Sequence, residues 1–193
     1  MDKLILNPTD LAQWQALVDE AQSQLKIALD ETLESYLVFL LMRFATQPEM
    51  TASVLGLEYL QSYHQTGQLR DETLRNVGDK CLLFSGLFPG QAKRRQVKIS
   101  YFVDIGQSAY GVLSNRHTQS MAELYSQLRQ HFVALMEILQ TMRECGDESQ
   151  KLLPLEAAEL FLDTGSGHAL NEIRKFSDGT VINLDSKSKK QSH

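Results

Sequence analysis

An all-α domain, an irregular bundle of about six to eight helices with a disordered polar C-terminal tail, is the fold class this sequence predicts. Three observations predict it. Apolar residues recur at threes and fours over long stretches, the spacing that lines one face of a helix. Turn residues fall about one helix length apart, at Pro48, Gly67, Pro89-Gly90, Gly146 and Gly165-Ser166-Gly167. Strand-like alternation appears in only two short pieces, and a strand needs a partner. The 193 residues, 42% of them hydrophobic and 22% charged, suffice for a buried core without disulfide staples.

Asn7-Pro8-Thr9-Asp10 has the form of a helix start: a cap, a proline at the first helical position, and an acid near the positive end of the helix dipole. Leu11, Trp14, Val18, Ala21, Leu25 and Leu29 continue it at helical spacing. After Leu33 the apolar character spreads nearly all round, as in a helix buried mid-bundle. A break near Ser23 is therefore expected, with Leu33 to Phe44 as the best core element. The longest apolar run, Tyr36 to Met42, stops at Arg43, far short of the ~20 residues of a membrane span.

Pro48-Glu49 opens a helix expected to reach Thr66, and Gly67 ends it. Leu69 to Phe88 follows, with Leu74, Val77, Cys81, Phe84 and Phe88 on one side. Gly78 and Ser85 share a face and invite a close neighbour. In Gln96 to Gly106 the alternation of Val97, Ile99, Tyr101, Val103 and Ile105 competes with the helical row Val97, Tyr101, Ile105, Ala109 and Val112. The only other strand-like piece is Thr180 to Leu184, so helix is the expectation. Thr118 to Glu144 is expected as one long helix on Met121, Leu124, Leu128, Phe132, Leu135, Leu139 and Met142. Pro154 opens a short helix to Asp163, a flexible Gly165-Ser166-Gly167 joint follows, and Ala169 to Phe176 is the last short helix before an Asp178-Gly179 turn. Residues 1–185 are expected to form one domain and 186–193 the tail, which is too rich in Ser, Lys and Gln to bury a core.

The net charge of −5 argues against nucleic-acid binding, which usually needs a basic face. Met1 to Asp10 lacks the basic and apolar regions of a signal peptide. Two distant cysteines, Cys81 and Cys145, make neither a disulfide framework nor a zinc box. Both are expected as free core thiols in a reducing cytoplasm.

No metal or cofactor is expected. The five histidines, His64, His117, His131, His168 and His193, form no Glu-x-x-His tetrad of the di-iron bundle type. Glu58 and His64 fall on different helix faces, and His131 lies on the row Leu124, His131, Ile138 as a satisfied core residue. No nucleophile elbow is present, Cys81 sits among apolar residues that keep a thiol protonated, and Gly165-Ser166-Gly167 has no Walker lysine.

Two features suggest a ligand. Lys93, Arg94 and Arg95 would fall in the first turn of a helix beginning near Gln96, where the dipole disfavours cations by ~0.3–1 kcal/mol each. A bound anion would reverse that cost. Surface pairing with acids is the plainer explanation. Asp104 lies along the inner edge of the same helix and should need a partner such as Arg43, Arg75 or Arg94; Asp79 should behave likewise. A pocket lined by Asp79, Arg94, Tyr101, Asp104 and Tyr110 would indicate a small-molecule site.

The segment Gly78-Asp79-x-x-Leu82-x-x-x-Gly86-Leu87-Phe88-Pro89, followed by Arg94-Arg95, Tyr101, Gly106 and Ala109-Tyr110, resembles a pattern of an uncharacterised bacterial protein family. The resemblance implies a bacterial origin and carries no activity and no site residues. On the residues themselves, long amphipathic helices without a catalytic set point to a non-enzymatic interaction or regulatory module, with a protein partner or self-association through the Met121–Met142 face. The alternative is a small-molecule-binding or enzymatic helical protein with an anion subsite at Lys93–Arg95.

Overall fold

The computed structural model describes residues 8–47, 55–146 and 151–188. Among the described residues there are ten helices and no strand. They are α1 (Pro8–Leu25), α2 (Glu31–Thr46), α3 (Leu55–Ser62), α4 (Gly67–Gly86), α5 (Gly90–Arg94), α6 (Ile99–Arg116), α7 (Gln119–Gln130), α8 (Phe132–Gly146), α9 (Pro154–Thr164) and α10 (Gly167–Ser188). The fold is all-α. The helix count exceeds the expected six to eight because the long 118–144 helix divides in two and the Pro89-Gly90 turn opens a five-residue helix. Asn7, Pro48 and Glu49, the expected cap and helix opening, lie outside the described residues.

The first break comes a few residues later than Ser23. Lys26 takes a left-handed φ of 55°, ending α1, and Asp30 restarts the chain by accepting from the Leu33 amide at 2.8 Å. Gln22 braces the elbow, accepting from the Leu29 amide at 2.8 Å and donating to Glu34 at 2.9 Å. Helix α2 then buries Leu33, Leu37, Val38, Leu40, Leu41 and Met42, as its all-round apolar character requires.

Helix α4 is the centre of the bundle, packed by α3, α6 and α8. Its residues from Val77 are buried almost without interruption to Gly86. Close packing depends on missing side chains: Gly78 lies against the Tyr110 ring, Gly86 against Leu139, and Gly106 of α6 against Phe132. Helix α6 starts at Ile99, after Gln96 turns the chain with a φ of 56°. The strand-like alternation over its first turns is incidental: Ile99 and Val103 are buried whereas Tyr101 is 39% exposed.

At His131 the helical path kinks, and that histidine is exposed rather than a core residue. The row through Leu128, Phe132, Leu135 and Leu139 faces entirely inward, each side chain 0% exposed. The middle of the seam expected as a self-association face thus packs into the protein's own core, whereas Met121 at its start is 42% exposed and Leu124 and Met142 are half-buried. Farther on, Pro154 opens α9, Glu156 caps it by accepting from the Leu153 amide at 3.2 Å, and Gly165 ends it at a φ of 72°. Helix α10 continues past Phe176, through Asp178-Gly179 and the strand-like Thr180–Leu184 piece, to Ser188. The last helix is thus longer than expected and enters the stretch read as tail; 189–193 lie outside the described residues. Buried side chains from α1 to α10 form one hydrophobic cluster. Among the described residues no helix is long and apolar enough to cross a membrane.

Candidate functional site

The cations Lys93, Arg94 and Arg95 do not converge. They occupy the end of α5 and the turn after it, where a helix dipole favours positive charge, so the penalty that suggested an anion does not arise. Lys93 lines a cavity of about 200 Å³ shared with Lys98, Ser100 and Asp163. Arg94 lines a different one of about 360 Å³ beside Arg143 and Lys151. The Arg95 guanidinium lies over the Phe84 ring, 4.8 Å from its centroid.

Of the five residues expected to share a pocket, Asp79 and Tyr110 meet, but inside the core. The Asp79 carboxylate is 1% exposed. Its Oδ1 accepts from the Tyr36 hydroxyl at 2.6 Å and the Tyr110 hydroxyl at 2.7 Å, and its Oδ2 accepts from Arg43 Nη2 at 2.7 Å. Burial, followed by the Asp79 charge, holds both phenols well above their ordinary range. Asp104, in contrast, is exposed rather than on an inner edge, and Tyr101 and Arg94 also reach the surface. Burial likewise pushes the Cys81 thiol far up, which suits an inert core cysteine. Cys145 is exposed, not a core thiol.

A second polar cluster lies where α8 and α10 meet. It begins with Glu137, whose Oε1 accepts from Ser166 Oγ at 2.7 Å and from the His168 amide at 3.1 Å. Ser166 Oγ in turn accepts from the Ala169 amide at 3.2 Å. Together they satisfy amides of the first turn of α10, where a carboxylate also suits the dipole. The joint expected to be flexible is thereby tied into the core. One turn before its end, α8 presents Arg143, which donates to the Gly86 carbonyl at 2.9 Å and to Glu144 Oε1 at 3.1 Å.

That anchoring sets His168 beside Glu144. His168 Nε2 lies 3.1 Å from Glu144 Oε2, and the two side chains are 8% and 9% exposed. Burial raises the Glu144 carboxyl, but hydrogen bonds and charge from His168 and Arg143 outweigh it and hold the carboxyl below its ordinary range. Glu172 stands one turn after His168 and pairs with Lys175 at 2.6 Å. One ligand atom from each of Glu144, His168 and Glu172 lies within 4.8 Å of the others.

Beside this cluster opens a cavity of about 540 Å³ between α1, α8 and α10. Gln24 and Leu25 form one wall, Thr141, Glu144 and Cys145 a second, and His168, Asn171, Arg174 and Lys175 a third, with Lys151 completing it. Its volume falls in the usual range of ligand sites, ~300–1,000 Å³. Compared with known protein families, curated proteins and solved structures, the chain matches none.

Reading the sequence alone misses this cluster because its halves are far apart in the chain. One local signal existed: His168 and Glu172 are four apart, the spacing that stacks two side chains on one helix face.

Proposed function

We propose that this chain is a non-enzymatic binding protein of the bacterial cytoplasm, that residues 1–185 act as one domain, and that its ligand is a small oxyanion held between α1, α8 and α10. The observation that carries this reading is the set of basic side chains in the cavity wall: Lys151, Arg174 and Lys175 line it beside the Glu144 carboxylate, with Lys175 also paired to Glu172 at 2.6 Å. Asn171 adds an amide on the same wall. Lysine and arginine heads recognise carboxylate and phosphate oxygens through charge-assisted hydrogen bonds. Lys93, Arg94 and Arg95 are outside this proposal because they face different surroundings.

Thermal unfolding in chelator-containing buffer, with inorganic phosphate or citrate added, tests it. A ligand at a hundred times its Kd stabilises by ~2.7 kcal/mol, which for a protein of this size raises Tm by roughly 5–10 °C. Arg174→Ala and Lys151→Ala should each reduce the shift. A Tm unmoved by any oxyanion would retire the reading.

A second reading, a self-associating interaction module, is favoured by one feature. Leu155 and Leu162 stand two turns apart on α9, 72% and 79% exposed, with Leu153 at 55% beside them. Such a row is costly to leave in water and suits a second copy of the chain. Sedimentation velocity over a wide concentration range should then give a rising coefficient that Leu155→Glu with Leu162→Glu flattens. A coefficient already constant in the wild type ends this reading.

A further inference from the structure

We propose that Glu144, His168 and Glu172 form a divalent-cation site beside the same cavity, whose wall includes Glu144 and His168, with zinc as the probe ion. Two carboxylates and one imidazole offer three protein ligands, the number that in catalytic zinc sites leaves a fourth position for water or another ligand. The inference shares its cavity with the oxyanion proposed above but does not require it.

Geometry supports the site at each ligand. Around zinc at ~2.1 Å, tetrahedral ligand atoms stand about 3.4 Å apart. The present limit of 4.8 Å exceeds that spacing by about 1.4 Å, a gap that binding would have to close. His168 is fixed at its backbone, because Glu137 holds its amide at 3.1 Å. Glu144 is oriented mainly at Oε1, which accepts from Arg143 at 3.1 Å and lies 3.2 Å from His168 Nε2. Oε2 faces the imidazole and can accept an ion inserted between them. Such outer contacts to a ligating carboxylate are how metal sites fix their ligands. Lys175 competes for Glu172, but its side chain is 66% exposed and can turn to water.

An independent observation points to what would complete the site. Thr141 lies one turn before Glu144 on α8 and lines the same cavity. It is 6% exposed, and its Oγ1 has no hydrogen-bond partner. Buried hydroxyls are rarely left so. A water brought into the site with the ion would give that hydroxyl a partner.

The plain alternative is that Glu144 and His168 are only an ion pair, and zinc alone distinguishes the two. Full-length protein, stripped with chelator and kept free of phosphate, is titrated with Zn²⁺ by calorimetry and with Co²⁺ by visible absorption. The expected result is one ion per chain and the absorption of a four-coordinate oxygen–nitrogen site. Glu172→Gln and His168→Gln should each weaken binding by roughly tenfold or more. Lys175→Ala, a change at an exposed position, should tighten it by releasing the Glu172 carboxylate. The same variant should weaken oxyanion binding measured in chelator, so the two readings fail separately. Cys145→Ser is the control for capture by the nearby thiol and should bind as the wild type does. Absence of Zn²⁺ binding, unchanged affinity in folded Glu172→Gln and Lys175→Ala, or loss of binding in Cys145→Ser would each overturn the site.

Discussion

At the scale of single residues, Asp79 joins three helices. Tyr36 and Arg43 reach it from α2 and Tyr110 from α6, so one carboxylate on α4 holds its two neighbours in register. Asp79→Ala should cost about 2–3 kcal/mol in urea denaturation. That is below the ~3–5 kcal/mol of removing one partner from a fully buried pair, because the Arg43 side chain is 26% exposed and solvent screens part of its charge. Tyr110→Phe removes one hydrogen bond and should cost about 1 kcal/mol. Equal stability of Asp79→Ala and wild type would show that the network only replaces hydration. The rarity of buried acids pointed to Asp79 as an acid in need of an internal partner, but offered Arg43 only as one of three arginines for Asp104, which the same logic misplaced. Helical periodicity locates a residue only to within a fraction of a turn, and Asp104 lies just beyond the edge of the buried face. Glu144 and His168 were out of reach because nothing local relates two residues on different helices.

Among the elements, the packing of α6 against α8 turns on glycine. A methyl group on Gly106 would stand closer than 3.0 Å to the Phe132 ring. In an exposed helix Gly→Ala stabilises by ~0.8–1.0 kcal/mol; at position 106 overpacking by ~1–3 kcal/mol should reverse the sign. Gly90 has open space around it and is the control. Calorimetric unfolding of Gly106→Ala and Gly90→Ala should thus move Tm in opposite directions, and a rise in both would mean that α6 and α8 pack less tightly than described. Helix positions were largely legible, since threes and fours of apolar residues reflect burial directly. The kink at His131 was not. Its hydrogen-bond ladder is nearly kept, the His131 amide donating to Gln127 at 2.8 Å and its carbonyl accepting from Leu135 at 2.9 Å. The apolar row therefore continues across the bend without a Gly or Pro to announce it. Lys93 to Arg95 were assigned to the wrong helix end because the left-handed turn at Gln96 has no signature in that residue type.

For the whole molecule, the buried acids of the core set an alkaline limit. Tyr36, Tyr110 and Cys81 all have folded values raised by burial. An unfolded thiol ionises near ~8.5 and an unfolded phenol near ~10. Above those values the unfolded chain loses protons that the native state keeps, so stability is full below them and falls as pH rises. Urea midpoints should begin to decline above pH ~8.5 and more steeply above ~10. Cys81→Ala should delay the first part of the decline. A midpoint flat through both ranges would mean that these groups ionise in the native state as they do in water. The contact between Glu137 and the start of α10 reaches further than local order. The glycine pair around Ser166 has the look of a place to end a shortened chain, yet a chain cut there would strand the Glu137 carboxylate in the core without its two donors. The smallest autonomous piece of this protein must therefore extend beyond Ala169, and the natural seam for dissecting it lies somewhere other than its most glycine-rich link.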